Sequence, residues 1–118
     1  MAVRALVVDD NEPFRVLVAG LLREIAVVVE QAADGDTAIR IARELRPDIV
    51  VMDISMPRLD GISAARAIQA AVPSARVVFL SGTETRQKLR EASVYGRVIE
   101  KRVADLPAEL RAALRQAA

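Results

Sequence analysis

Apolar residues in this chain gather in five short, nearly continuous runs, and longer stretches with helical spacing lie between them. The runs are ALVV at 5–8, VVV at 27–29, IVVM at 49–52, VVFL at 77–80 and a weaker VI at 98–99. Continuous rather than alternating runs are expected of strands covered on both faces of a parallel sheet. Between them, Phe14, Leu17, Val18, Leu21, Leu22 and Ile25 form one helical stripe, with Asn11 as its cap and Pro13 in its first turn. Ala38, Ile41, Ala42 and Leu45 form a second stripe, and Ile62, Ala65, Ile68 and Val72 a third. Leu106, Leu110, Ala113 and Leu114 form the last, behind a cap at Asp105. The segment 84–92 carries the weakest pattern, because Thr83 to Lys88 is polar nearly all round. Strand and helix alternating five times predict an α/β fold, an open, doubly wound parallel sheet.

Composition sharpens this picture. With 118 residues there is room for one domain, 1–118, and one core. Aromatics are only 3% of the chain, so that core is aliphatic. A net charge of +1 predicts neither a nucleic-acid footprint nor attraction to a membrane. The absence of cysteine excludes disulfides and thiol chemistry, and the absence of histidine excludes imidazole ligands and His-dependent triads. No apolar run approaches the roughly 20 residues of a membrane span, and the start has no signal-peptide pattern, so a cytoplasmic location is expected.

In such a sheet, chemistry belongs at the carboxyl ends of the strands. The first run delivers Asp9 and Asp10, the third Asp53, the fourth Ser81 and the fifth Lys101, whereas the second delivers only Gln31 and Ala32. Three neighbouring carboxylates need positive charge among them. Lys101 supplies one charge, and Mg²⁺ suits a site of a few carboxylates, a backbone carbonyl and water. Asp53 beside Mg²⁺ and a lysine is set for attack on phosphorus, giving an aspartyl phosphate. Ser81 could hydrogen-bond a phosphoryl oxygen, with Gly82 leaving backbone room beside it.

The combination of Asp9-Asp10, Asp53-x-x-Met56-Pro57-x-x-Asp60-Gly61, Ser81 and Lys101 resembles the response-regulator receiver domains of two-component signalling, over essentially the whole chain. That resemblance implies a flavodoxin-like sheet of order 2-1-3-4-5 with five helices. It implies Asp53 as phosphoacceptor, and Mg²⁺ held by Asp9, Asp10, Asp53 and the Ser55 backbone carbonyl. Lys101 would pair with the phosphoryl group, and Ser81 would be the switch hydroxyl. The phosphoryl donor would be a histidine kinase, a phosphotransfer protein or a small acyl phosphate. The output would go to a downstream protein or a fused domain, with a homodimer through the fourth helix, fifth strand and fifth helix also open. Such a domain is not an enzyme beyond its own phosphorylation and dephosphorylation.

Two positions depart from the family pattern. Val98 stands where an aromatic usually reports phosphorylation, although Tyr95 is nearby. Arg102 stands where proline usually follows the lysine, and a non-proline cis bond costs about 3–4 kcal/mol, so a trans link and an altered loop are expected. Ser55 and Thr83 occupy the positions that tune hydrolysis, and neither presents a carboxylate that would organise attacking water.

Simpler roles compete with each of these. Asp9-Asp10 could cap the first helix, Asp60-Gly61 reads as a turn and helix entry, and Lys101 could be a solvated charge. The loss of the aromatic at Val98 favours an alternative, a docking module that works without phosphorylation. An aspartyl-phosphate phosphatase would want a second acid at Ser55, and a nucleotide or flavin binder would not place Asp9-Asp10 after its first strand. The chain stops just behind its last helical stripe, so no DNA-binding unit is expected within it. A stand-alone receiver and the receiver part of a longer protein both fit.

Overall fold

The computed structural model describes residues 3–26, 28–102 and 104–117. Five strands and five helices alternate: β1 Arg4–Val8, α1 Glu12–Arg23, β2 Val28–Ala32, α2 Gly35–Leu45, β3 Ile49–Asp53, α3 Gly61–Ala71, β4 Arg76–Ser81, α4 Arg86–Ser93, β5 Gly96–Glu100 and α5 Leu106–Ala117. All pairings are parallel, in the order β2-β1-β3-β4-β5. The expected doubly wound α/β sheet and its strand order are therefore what the chain adopts. Among the described residues, no helix is long and apolar enough to cross a membrane.

The continuous apolar runs are explained by two cores, one on each sheet face. Leu6, Val8, Val50, Met52, Val77 and Phe79 meet α2 and α3 on one side. Ala5, Val7, Ile49, Val51, Val78 and Leu80 meet α1 and α5 on the other. Strand side chains alternate between faces, so a strand covered twice needs apolar residues at every position. Crowding fixes one glycine here: a Cβ on Gly96 would lie 2.0 Å from the Val77 carbonyl oxygen, so only glycine lets β5 enter beside β4.

The helix starts follow the capping chemistry. Asn11 accepts the Phe14 N–H at 3.0 Å, as expected, so Asn11 rather than Asp9 or Asp10 caps α1. Asp34 caps α2 through Thr37 N, Asp60 caps α3 through Ser63 N, and Asp105 accepts Ala108 N at 3.4 Å at the start of α5. The weakly patterned fourth helix does form, but it begins behind a Thr85 cap, leaving Glu84 in the preceding loop.

The first helical stripe needs one correction. Val18, Ala19 and Leu22 are its buried centre, with Phe14, Leu21 and Ile25 alongside, whereas Leu17 is 56% exposed. At about 100° per residue, Leu17 lies well round the helix from both Val18 and Leu22, towards the outer face with Val16. The second run was read as 27–29; β2 instead spans Val28–Ala32, and Val27 lies outside the described residues.

Candidate functional site

The ends of β1, β3 and β4 and the residue after β5 converge at one edge of the sheet. Asp9 follows β1, and its N–H is held by the Ala32 carbonyl at 3.2 Å. Arg15 of α1 donates from Nη1 to the Asp9 carbonyl at 2.9 Å and from Nε to Gln31 at 3.1 Å, anchoring the first two strand tips together. Asp53 ends β3, paired in register with Leu80 of β4, so Ser81 stands one residue beyond it. Lys101 follows β5, and its N–H donates to the Ser81 carbonyl at 2.8 Å.

Gly61 explains how α3 can pack so near this edge. A Cβ there would fall 2.0 Å from the Asp53 carbonyl oxygen, while the Gly61 N–H donates to the Ile54 carbonyl at 2.8 Å. The Asp60-Gly61 pair is thus a helix entry, as read: the carboxylate caps α3 and the glycine admits the backbone contact. Beside Ser81 there is room at Gly82, as read, since nothing lies within 4 Å of where its Cβ would be.

Asp9, Asp53 and Ser81 are the polar residues buried in this structure, at 1%, 5% and 4% exposure, among the described residues. Asp10 is exposed. The ammonium of Lys101 lies 2.9 Å from Asp9 Oδ2 and 3.3 Å from Asp53 Oδ1, and 4.8 Å from the centre of the Phe14 ring. Lys101 is therefore a bridging cation and not a solvated surface charge. Partial burial works against its charge, but the two carboxylates outweigh that and hold Lys101 protonated above its ordinary range. At Asp53 the balance runs the other way. Burial first, and the Asp9 charge next, push its carboxyl up to about 7 despite the pull of Lys101.

That imbalance bears on a metal. Asp9, Asp10 and Asp53 each offer a carboxylate oxygen, all within 4.8 Å of one another. Asp9 Oδ1 accepts the Asn11 N–H at 2.9 Å, and the partner of buried Oδ2 is the Lys101 ammonium, 2.9 Å away and shared with Asp53. Three acids within reach of one another, two of them buried and sharing a single lysine, fit a hard divalent cation of Mg²⁺ type.

Of the remaining residues singled out in the sequence, Ser55 lies on the loop after β3 and Thr83 is exposed on the loop after β4. Val98 is half-buried in β5 opposite Phe79, packed against the α2–α3 core. No peptide bond among the described residues is cis, so the Lys101–Arg102 link is trans, as expected. Glu84 is the residue that sequence reasoning missed. Its carboxylate accepts Ser55 Oγ–H at 2.6 Å and Gly82 N–H at 2.7 Å, bridging the loops after β3 and β4. The sequence holds no local signal for this pair, because the partners lie 29 residues apart. Ser55 and Thr83 carry no carboxylate themselves, as read, but the Glu84 carboxylate stands against Ser55.

Comparisons with known proteins agree with this geometry. The family described as response regulator receiver domain matches residues 5–115. Protein-glutamate methylesterase/protein-glutamine glutaminase of Alkalilimnicola ehrlichii is 40% identical across 98% of this chain, which spans only 31% of that relative. The response regulator domain of Thermotoga maritima CheB is 32% identical with a TM-score of 0.84, covering 99% of this chain and 96% of that one. The receiver domain of the histidine kinase CKI1 from Arabidopsis thaliana, solved with Mg²⁺ and BeF₃⁻, is 27% identical with a TM-score of 0.79, covering 98% and 89%.

Proposed function

The chain belongs to the response regulator receiver family, and from that premise we propose that it is a phosphorylation-dependent signalling domain whose acceptor is Asp53. The observation that carries this reading is the buried Asp53 carboxyl at the tip of β3, with Lys101 at 3.3 Å and Asp9 and Asp10 within cation-sharing distance. Asp9, Asp10, Asp53 and the Ser55 carbonyl would hold Mg²⁺. When bound, the cation offsets negative charge on carboxylates and phosphoryl oxygens alike. Occupation of the same fold by Mg²⁺ and BeF₃⁻ in the CKI1 receiver supports the assignment.

In the transfer, an Asp53 carboxylate oxygen attacks phosphorus and forms the new O–P bond. The bond from phosphorus to the donor, a kinase or phosphotransfer-protein histidine or a small acyl phosphate, breaks and its electron pair leaves with the donor. Lys101, kept protonated between Asp9 and Asp53, turns towards the phosphoryl oxygens. Ser81, buried one residue beyond the Asp53 register position, donates its hydroxyl to one of them. The product adds roughly −1.5 to −2 charge to an edge that holds one lysine against three acids. That charge biases the surface of α4, β5 and α5 towards a protein partner.

Intact-mass measurement after incubation with Mg²⁺ and acetyl phosphate tests this directly, with Asp53→Asn alongside. Gain of one phosphate by the parent alone is expected. No gain in the parent, together with no response to beryllofluoride and Mg²⁺, would overturn the reading in favour of a constitutive docking module.

A further inference from the structure

The Glu84 contacts bridge two loops at the rim of the site. Ser55 is two residues beyond Asp53, and Gly82 directly follows Ser81. One carboxylate ties these two points together with two short hydrogen bonds, at 2.6 and 2.7 Å. Glu84 itself is only half-buried and directly precedes the Thr85 cap of α4. Three residues beyond Thr85, Lys88 donates to Asp60 at 3.1 Å, on the same loop that carries Ser55. The start of α4 is therefore fastened to the loop after β3 at two points.

The two fastenings differ in sign. Lys88–Asp60 joins opposite charges and is indifferent to a new anion at Asp53. Glu84 is an acid, added to Asp9, Asp10 and Asp53 at this edge of the sheet, and it depends on two donors at the rim of the site. A phosphoryl group on Asp53 brings close to two further negative charges and three strong acceptor oxygens to that rim. It repels the Glu84 carboxylate and competes for the donors that Glu84 holds. Replacing one anion by another conserves those hydrogen bonds, so expelling Glu84 carries little desolvation cost.

We propose that Glu84 is a clasp: its carboxylate ties the β4–α4 loop to the loop after β3 in the unmodified chain, and a phosphoryl group on Asp53 expels it, leaving Lys88–Asp60 as the remaining fastening of the start of α4. This rests on Asp53 as the acceptor. The clasp does two things. It hinders the arrival of an anionic phosphoryl donor, and it couples the site to α4 by a route that does not pass through Val98. Glu84 is in this sense a positioning residue, acting through Ser55 and Gly82.

The test uses Glu84→Gln, which removes the charge and one acceptor oxygen, with Ser55→Ala as an independent break of the clasp. Glu91→Gln, an exposed acid on α4, is the control for charge alone. Phosphate gain from acetyl phosphate with Mg²⁺ is followed by intact mass. Hydrogen exchange of the segment 82–93 is measured with and without beryllofluoride. Glu84→Gln and Ser55→Ala are expected to take phosphate roughly five- to tenfold faster than the parent, the size of one ordinary net hydrogen bond. Combining them should add little, since both open one clasp. Exchange across 82–93 should rise in the parent on beryllofluoride binding, and should already be raised in Glu84→Gln without it. Parent and Glu84→Gln gaining phosphate at equal rates, with equal exchange before beryllofluoride, would overturn the clasp while leaving Asp53 as acceptor. Acceleration by Glu91→Gln to the same degree would overturn it too, by making the effect one of net charge. If the parent takes no phosphate and ignores beryllofluoride, the acceptor reading falls and the clasp with it.

Discussion

Asp53 carries the largest electrostatic cost at the site, and its size follows from what surrounds it. Burial and the Asp9 charge raise its folded pKa to about 7 from 3.8, so the folded chain binds more protons than the unfolded chain between those values. Without a divalent cation, stability is therefore expected to fall as pH rises from about 4 to about 7. Asp53→Asn should flatten that slope and be the more stable protein at pH 8. Urea midpoints in chelator at pH 5 and pH 8 measure both, and an unchanged slope in Asp53→Asn would show the proton sits elsewhere. Gly61 is the other residue whose identity is dictated atom by atom. Gly61→Ala forces a Cβ into the Asp53 carbonyl, so a loss of about 3 kcal/mol or more is expected in urea unfolding, with phosphate uptake lost alongside.

At the level of elements, helix faces and helix ends contribute in different ways. On α1, Leu22 is fully buried and Leu17 is not. Leu22→Ala should cost about 2–5 kcal/mol and Leu17→Ala no more than about 0.5 kcal/mol. Equal losses would contradict the orientation of the helix. At the start of α3, Asp60 caps the helix through Ser63 N and holds Lys88 of α4. Burial opposes its charge, but the Ser63 and Lys88 hydrogen bonds prevail and lower its pKa below 3.8. Its contribution is thus present above about pH 4 and disappears as pH falls through the lower folded value. Asp60→Ala should cost about 1–2 kcal/mol at neutral pH and progressively less in acid. The stripe on α1 was legible to within one residue because periodicity is local. Leu17 was misplaced because the centre of a buried face depends on what packs against it, here β1, β2 and α5.

For the whole molecule, the sheet acts as a frame that delivers four strand ends to one edge, where three acids and one lysine leave a surplus of negative charge. A cation that binds only the folded chain stabilises it by mass action, about 2.7 kcal/mol at a hundredfold excess over its dissociation constant. Mg²⁺ should accordingly raise Tm by several degrees in the parent and far less in Asp9→Asn, which removes one of the three clustered charges. Equal shifts in both would place the cation elsewhere.

The order of elements, the strand tips that bear Asp9, Asp10, Asp53, Ser81 and Lys101, and the entry of α3 at Asp60-Gly61 are written in the chain itself. They rest on local physics: two-sided burial makes strands continuously apolar, capping residues mark helix starts, and parallel strands send their carboxyl ends to one edge. Tertiary structure alone decides that Glu84 meets Ser55, that Lys88 meets Asp60, and that Lys101 lies between two carboxylates and not in water. Those pairings join residues on separate elements and loops, and their geometry depends on how β3, β4 and β5 register side by side, which no periodicity within a single segment encodes.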